Sequence, residues 1–211
     1  MKIPLTYPYR TVILADGEFP RSVTALSFLR DAIRIVCCDG ATESAIENGF
    51  EPDVIVGDLD SISSELKQKY RYCLHHDDDE DTNDLTKAVN FCIDKGWNEI
   101  TILGATGKRE DHSLGNISLL CDYAQHVKIQ MITDYGIFSP ISSSALFESF
   151  ASQQVSIFCL TPDTLFTFKG LKYPLTRQTI ARWWQGTLNE SIGNEFHIEI
   201  DCGIVIVFRC F

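Results

Sequence analysis

The feature that most constrains this chain is an alternation. Over the first two-thirds, short apolar runs take turns with helix-like segments, and run after run ends in aspartate or glycine. Residues 11–15 read as a strand ending at Asp16-Gly17, and 33–38 as a second ending at Asp39-Gly40. Residues 53–56 make a third, which leads through Gly57 into Asp58-Leu59-Asp60, and 100–103 a fourth ending at Gly104. Between them, 22–30, 42–48 and 63–70 suit helices. Leu85, Ala88, Val89, Cys92 and Ile93 have the i, i+3, i+4, i+7, i+8 spacing of one buried helix face. Thr82 or Asn83 can cap that helix and Gly96 can stop it. A helix over 111–125 and a strand over 127–133 complete the series. Apolar runs bounded by turn residues are buried strands. Their alternation with helices implies an α/β fold with a largely parallel sheet and flanking helices.

Near Asp134 the pattern changes: Ser, Thr, Phe and Gly become frequent and helical periodicity fades. Residues 155–160, 165–169, 196–200 and 204–209 read as strands. The expected organisation is an α/β domain over 1–134, followed by a smaller antiparallel β-sandwich domain over 135–211. The second part, ~75 residues, is small for a self-sufficient core and is expected to need a partner surface.

Composition removes several function classes. The net charge of -11 provides no basic stripe for a nucleic acid or an anionic membrane. It leaves nucleotides open, because Mg²⁺ can bridge acidic residues and phosphates. No apolar run approaches the ~18 residues of a transmembrane helix, and the first residues lack the apolar core of a signal peptide. The eight cysteines include no C-x-x-C pair, and most sit in apolar runs as small hydrophobes. A reducing cytoplasm with free thiols is the expected setting.

In an open α/β sheet the carboxyl ends of the strands gather along one edge, where ligands bind. The alternation therefore brings Asp39, Asp58, Asp60 and the Gly104-Ala105-Thr106-Gly107-Lys108-Arg109 loop to one rim, with Asp84 at the start of the Leu85 helix. Two carboxylates two residues apart repel unless a cation or proton intervenes. Asp58, Asp60 and Asp84 are thus candidate ligands of a hard ion, most simply Mg²⁺ carrying phosphates. A lone Gly-Asp-x-Asp is equally a turn, and Asp84 also suits the helix dipole. It is the repetition at neighbouring strand ends that favours a site. The Gly104–Arg109 loop can cradle phosphates through its amides and the fork of Arg109, although it lacks Walker spacing and reads as well as a plain βα turn. His112 suits a general base or a helix-start packing residue. Trp183 and Trp184 suit packing, or a stacking platform for a flat cationic ring.

Taken together, the segments resemble the thiamine pyrophosphokinase (thiamine diphosphokinase) family. The matching pieces are Asp39-Gly40-Ala41, residues 52–62 with Gly57-Asp58-Leu59-Asp60, residues 79–88, residues 104–116, and Gly170–Leu175 followed by Asn194-Glu195. They occur in family order across most of the chain. The resemblance implies an α/β nucleotide domain, a β-sandwich, and a homodimer with active sites at the subunit interface. It implies transfer of the pyrophosphoryl group of ATP to the hydroxyl of thiamine, giving thiamine diphosphate and AMP. Mg²⁺ would be held by Asp58, Asp60 and Asp84, one of which could orient or accept the hydroxyl proton. Asp39, Gly40, Thr106, Gly107, Arg109, Asp111, His112 and Asn116 would surround ATP. Trp183 or Trp184, with Asn194 and Glu195, would hold thiamine. The chain departs from the family pattern at Asn83, where Thr is usual, and at Gly193, where Ser is common. Two other readings fit parts of the pattern. One is a metal-dependent glycosyltransferase using Asp58-Leu59-Asp60 as a D-x-D site. The other is a non-catalytic nucleotide-binding module.

Overall fold

The computed structural model describes all residues, 1–211. In chain order the elements are β1 (Lys2–Ile3), β2 (Thr11–Leu14), α1 (Val23–Arg30), β3 (Arg34–Cys38), α2 (Thr42–Glu47), β4 (Val54–Gly57), α3 (Ser64–Lys69), β5 (Leu74–His76), α4 (Asp84–Asp94), β6 (Glu99–Leu103), α5 (Glu110–Tyr123) and β7 (Lys128–Ile132). The remainder is β8 (Gly136–Ile141), β9 (Ala145–Glu148), β10 (Gln154–Cys159), β11 (Phe166–Lys169), β12 (Asn189–Glu190), β13 (Glu195–Ile200) and β14 (Val205–Cys210). Short 3₁₀ turns lie at Asp39–Ala41 and Trp183–Gly186. No helix is long and apolar enough to cross a membrane.

The chain divides into two compact units. One contains Tyr9–Leu119 and Gln125–Asp134; the other contains Met1–Pro8, Leu120–Ala124 and Tyr135–Phe211. In the first, the strands lie in the order β7-β6-β2-β3-β4-β5 and every neighbouring pair is parallel. From β2 the chain builds outward through β3, β4 and β5. It then crosses back by way of α4 to place β6 on the other side of β2. The order therefore reverses between β2 and β6, and a crevice opens at the carboxyl ends of two strands whose connections leave in opposite directions. The strands are buried on both faces: Val12, Ile13, Val36, Ile55, Val56, Ile100 and Ile102 are all solvent-inaccessible, as continuous apolar runs require. Beyond the expected strands, this sheet gains β5, whose Leu74-His75-His76 is too short and polar to stand out as a strand.

The second unit is a sandwich of two sheets, ordered β1-β9-β13-β11 and β12-β10-β14-β8. Phe147, Phe166, Phe196 and Ile198 of the first sheet pack against Val155, Ile157, Val205 and Val207 of the second. The rings of Phe147 and Phe196 stack 4.9 Å apart. Its pairs are antiparallel apart from β1, which adds to β9 in parallel. Met1–Pro8, expected with the α/β part, thus belongs to the sandwich. The physical reason is that the polypeptide edge of β9 is completed by Lys2 and Ile3, and Ile3 is buried in the sandwich core. Arg209 on β14 is fully buried. It donates to the carbonyls of Glu148, Pro4 and Leu5 at 2.8, 2.9 and 3.2 Å, so it ties the first residues to the sandwich.

Candidate active site

β3 and β4 pair side by side, with Cys38 opposite Val56, and their next residues form an acidic corner. Ligand oxygens of Asp39, Asp58 and Asp60 all lie within 4.8 Å of one another. Gly57 makes this possible, because a Cβ there would sit 2.8 Å from Asp39 Cγ. Leu59, between the two aspartates, holds φ at +66°, a left-handed conformation that costs a non-glycine residue about 1 kcal/mol or more. That turn lets the Asp60 amide donate to Asp58 Oδ1 at 3.0 Å, and Ser61 Oγ donates to Asp60 Oδ1 at 2.9 Å. Asp39 is 2% exposed. Its Oδ1 accepts the Gly40 amide at 2.7 Å, while its buried Oδ2 has no well-formed hydrogen bond. An orphaned carboxylate oxygen beside two other carboxylates is an arrangement that a hard cation relieves.

The electrostatics follow from this placement. Burial pushes the Asp39 carboxyl up, and Asp84 adds to it. Burial also raises Asp84, with the nearby Lys87 ammonium acting in the opposite direction. Asp58 is held low, chiefly by the Asp60 amide. Asp84 stands at the first position of α4, where Asn83 caps the helix by accepting from the Thr86 amide at 2.9 Å. Asparagine therefore does the N-cap work that threonine would do.

A cleft of about 280 Å³ opens at the crevice between β2 and β6. Its walls come from the turn after β2 (Asp16, Gly17), the loop after β6 (Ala105, Thr106, Lys108, Arg109), the starts of α4 and α5, and Cys38. The two loops touch closely enough that a Cβ on Gly17 would lie 2.3 Å from the Gly104 carbonyl oxygen. Thr106, Arg109, His112 and Asn116 line the cleft, as does Asp84. Asn116 donates to the Ala105 carbonyl at 2.9 Å and accepts from Asn83 at 3.3 Å, so it braces the loop against α4. Arg109 makes a bidentate pair with Asp111 at 3.0 and 2.5 Å, which pulls Asp111 down to about 2. The Gly107 amide donates to Ser113.

Not every residue falls where the resemblance implies. Asp39 and Gly40 stand at the acidic corner rather than in the cleft wall, and Asp39, not Asp84, completes the tight carboxylate trio. One cleft residue, Asp16, is not among those the sequence marks for the site. It holds Lys108 Nζ at 2.7 Å, and a sequence signal exists, since Asp16-Gly17 ends a strand just as Asp39-Gly40 does. Lys87, outside the cleft wall, is another: it lies one turn after Asp84 on α4, with its ammonium 3.4 Å from Asp84 Oδ1.

In the sandwich unit, Trp183 and Trp184 occupy a 3₁₀ turn. Trp183 packs edge-on against Phe158 at 6.1 Å between ring centroids, whereas Trp184 is 68% exposed. Asn194 and Glu195 are exposed where β13 begins. The Asn194 carbonyl accepts the Ser149 amide at 2.9 Å.

Comparison with known proteins points in one direction. Residues 25–132 match the family model described as "Thiamin pyrophosphokinase, catalytic domain", and 136–208 match "Thiamin pyrophosphokinase, substrate-binding domain". Thiamine pyrophosphokinase 1 of Oryza sativa subsp. japonica is 38% identical over 149 residues. That match takes in 58% of this chain and only about half, 55%, of the relative's own length. Thiamine pyrophosphokinase of Bacillus subtilis (strain 168) is 30% identical over 182 residues, 81% of this chain and 84% of the relative. The crystal structure of thiamin pyrophosphokinase from Geobacillus thermodenitrificans superposes with a TM-score of 0.78 at 27% identity, covering 95% of this chain and 97% of that one.

Proposed function

The chain belongs to the thiamine pyrophosphokinase family, and from that premise we propose that it moves the pyrophosphoryl group of ATP to the hydroxyl of thiamine, releasing AMP. The observation that carries this reading is the acidic corner with its orphaned Asp39 oxygen, joined through Asp84 to a cleft lined by Lys108 and Arg109. An all-carboxylate donor set fits Mg²⁺. Asp39, Asp58 and Asp60 would hold the ion, with Asp84 beside them. When bound, it supplies charge neutralisation to the phosphates.

The chain's own groups do the rest. Lys108 and Arg109 exchange Asp16 and Asp111 for phosphate oxygens, and the Arg109 fork suits bidentate capture. Amides of the Gly104–Arg109 loop, Thr106, His112 and Asn116 fix the nucleotide. A corner carboxylate left free of the metal accepts or orients the thiamine hydroxyl proton. Phosphoryl-group transfer demands little else of the protein than alignment and charge stabilisation. Trp183 and Trp184, with Asn194 and Glu195, form the thiamine side, since indole faces attract a cationic thiazolium. The protein works as a homodimer in the cytoplasm on this reading. Tyr173, Trp184, Leu188 and Ile192 are each at least 60% exposed, which suits a covered face, and the eight free cysteines suit a reducing compartment.

The deciding experiment incubates the protein with ATP, Mg²⁺ and thiamine and separates the products. AMP and thiamine diphosphate in equal amounts are expected; ADP, or no thiamine-dependent turnover, would refute the reading. Asp58→Asn should lower kcat by roughly 100-fold or more with an unchanged circular-dichroism spectrum. Near-normal turnover in the folded variant would remove Asp58 from the site.

A further inference from the structure

Among the lysines, Lys87 alone is buried, at 5% exposure. It lies on α4, whose Leu85, Ala88, Val89 and Cys92 face packs against β3 and β4, the strands that deliver the acidic corner; Lys87 falls to the side of that face, with Asp84. An ammonium in such a place costs several kcal/mol unless it is paired. Its one close partner is Asp84, at 3.4 Å. Beyond that contact its field reaches Asp58 and Asp77, and Asp79. The other cations near the cleft, Lys108 and Arg109, are exposed and already paired with Asp16 and Asp111. A methionine or leucine at position 87 would cover the same apolar surface without the desolvation cost, so packing does not explain the charge.

We infer that Lys87 is a fixed counter-charge of the metal site: a covalently held cation that pairs with Asp84 and offsets repulsion in the Asp39-Asp58-Asp60-Asp84 corner. By doing so it limits how tightly that corner takes a divalent ion. The inference rests on the reading of the corner as a metal site. Its sign is specific. A residue needed only for the fold would, on removal, weaken metal binding or leave it unchanged, whereas a competing fixed charge, on removal, strengthens it.

The test titrates Mn²⁺ alone into the metal-free full chain, without nucleotide or thiamine, and follows free Mn²⁺ by electron paramagnetic resonance. Lys87→Met should bind Mn²⁺ about threefold more tightly, or more, while Lys87→Arg stays near the parent value. Unchanged or weaker binding in a folded Lys87→Met protein would overturn the inference. If that variant unfolds without metal, saturating Mg²⁺ must raise its Tm by more than it raises the parent's, and an equal or smaller rise would count against the idea equally. Failure here is separable from failure of the functional reading. Parent protein that makes thiamine diphosphate while the Mn²⁺ affinity ignores position 87 sinks only the role of Lys87. A Mn²⁺ affinity that shifts in a protein without thiamine-dependent turnover sinks only the substrate assignment.

Discussion

At the scale of residues, the active corner trades stability for chemistry. Asp39 is buried beside like charges, and its carboxyl is raised above the ordinary aspartate value of about 3.9. Between the unfolded and folded values the native state holds a proton that the unfolded chain has released. Stability is then higher below the unfolded value and falls as pH rises through the folded one. Once ionised, the Asp39 charge is destabilising, and a bound cation would offset it. Asp39→Asn removes the charge and keeps the shape. In metal-free buffer at neutral pH its Tm should exceed the parent's, and the gap should narrow as the pH is lowered toward the carboxylate range. Turnover should drop by roughly 100-fold or more. A Tm below the parent's at neutral pH would show that the Asp39 charge is compensated in some other way. Gly57 belongs to the same trade: any side chain there would displace Asp39, so the third carboxylate depends on a residue with no chemistry of its own.

At the scale of elements, β14 carries the largest single commitment of the sandwich. Arg209 is fully buried, and burial lowers its guanidinium to about 10, still protonated at neutral pH. It stands over the Phe147 ring at 5.1 Å and donates to carbonyls of β9 and of the first residues of the chain. Arg209→Met would strand those carbonyls in the interior. The expected loss is about 3 kcal/mol or more in denaturant unfolding, with residues 1–8 becoming the first segment cut by protease. A loss under ~1 kcal/mol would mean that water replaces the guanidinium. The 3₁₀ turn with the two tryptophans gives a second prediction. Trp183 is braced by Phe158 and Trp184 is 68% exposed in the single chain, so Trp184→Ala should raise the KM for thiamine, while Trp183→Ala should lower both affinity and Tm. An unchanged thiamine KM in both variants would return the pair to packing.

The elements also show where the sequence was readable. Apart from β5, the strands of the parallel sheet appear within about a residue of their expected limits because they are buried on both faces and must be apolar nearly throughout. β8 was not anticipated, since Pro140 interrupts its run, yet it pairs with β14 from Gly136 to Ile141. β1 and β12 are two residues each, too short to carry any period. Lys87 escaped notice for a different reason. A lysine off the apolar face of a helix reads as a solvated residue, and only the folded structure shows it buried beside Asp84.

At the scale of the whole molecule, the sandwich depends on its first residues and on its exposed apolar side chains. A self-associating protein should sediment as a dimer at micromolar concentration, and Trp184→Ala with Leu188→Ser should shift it toward monomer. A parent protein that sediments as a monomer throughout would remove the homodimer from the proposal.

The α/β class, the strand ends and the clustering of aspartates along one sheet edge are legible in the chain alone, because burial on two faces and turn chemistry are local demands that each segment must meet alone. Which aspartates meet is a matter of long-range packing. Strand order placed β3 beside β4, so Asp39 rather than Asp84 completes the trio, and it put the cleft where the order reverses between β2 and β6. Strand order and helix facing are set by contacts between residues far apart in the chain, and no spacing along the sequence encodes them.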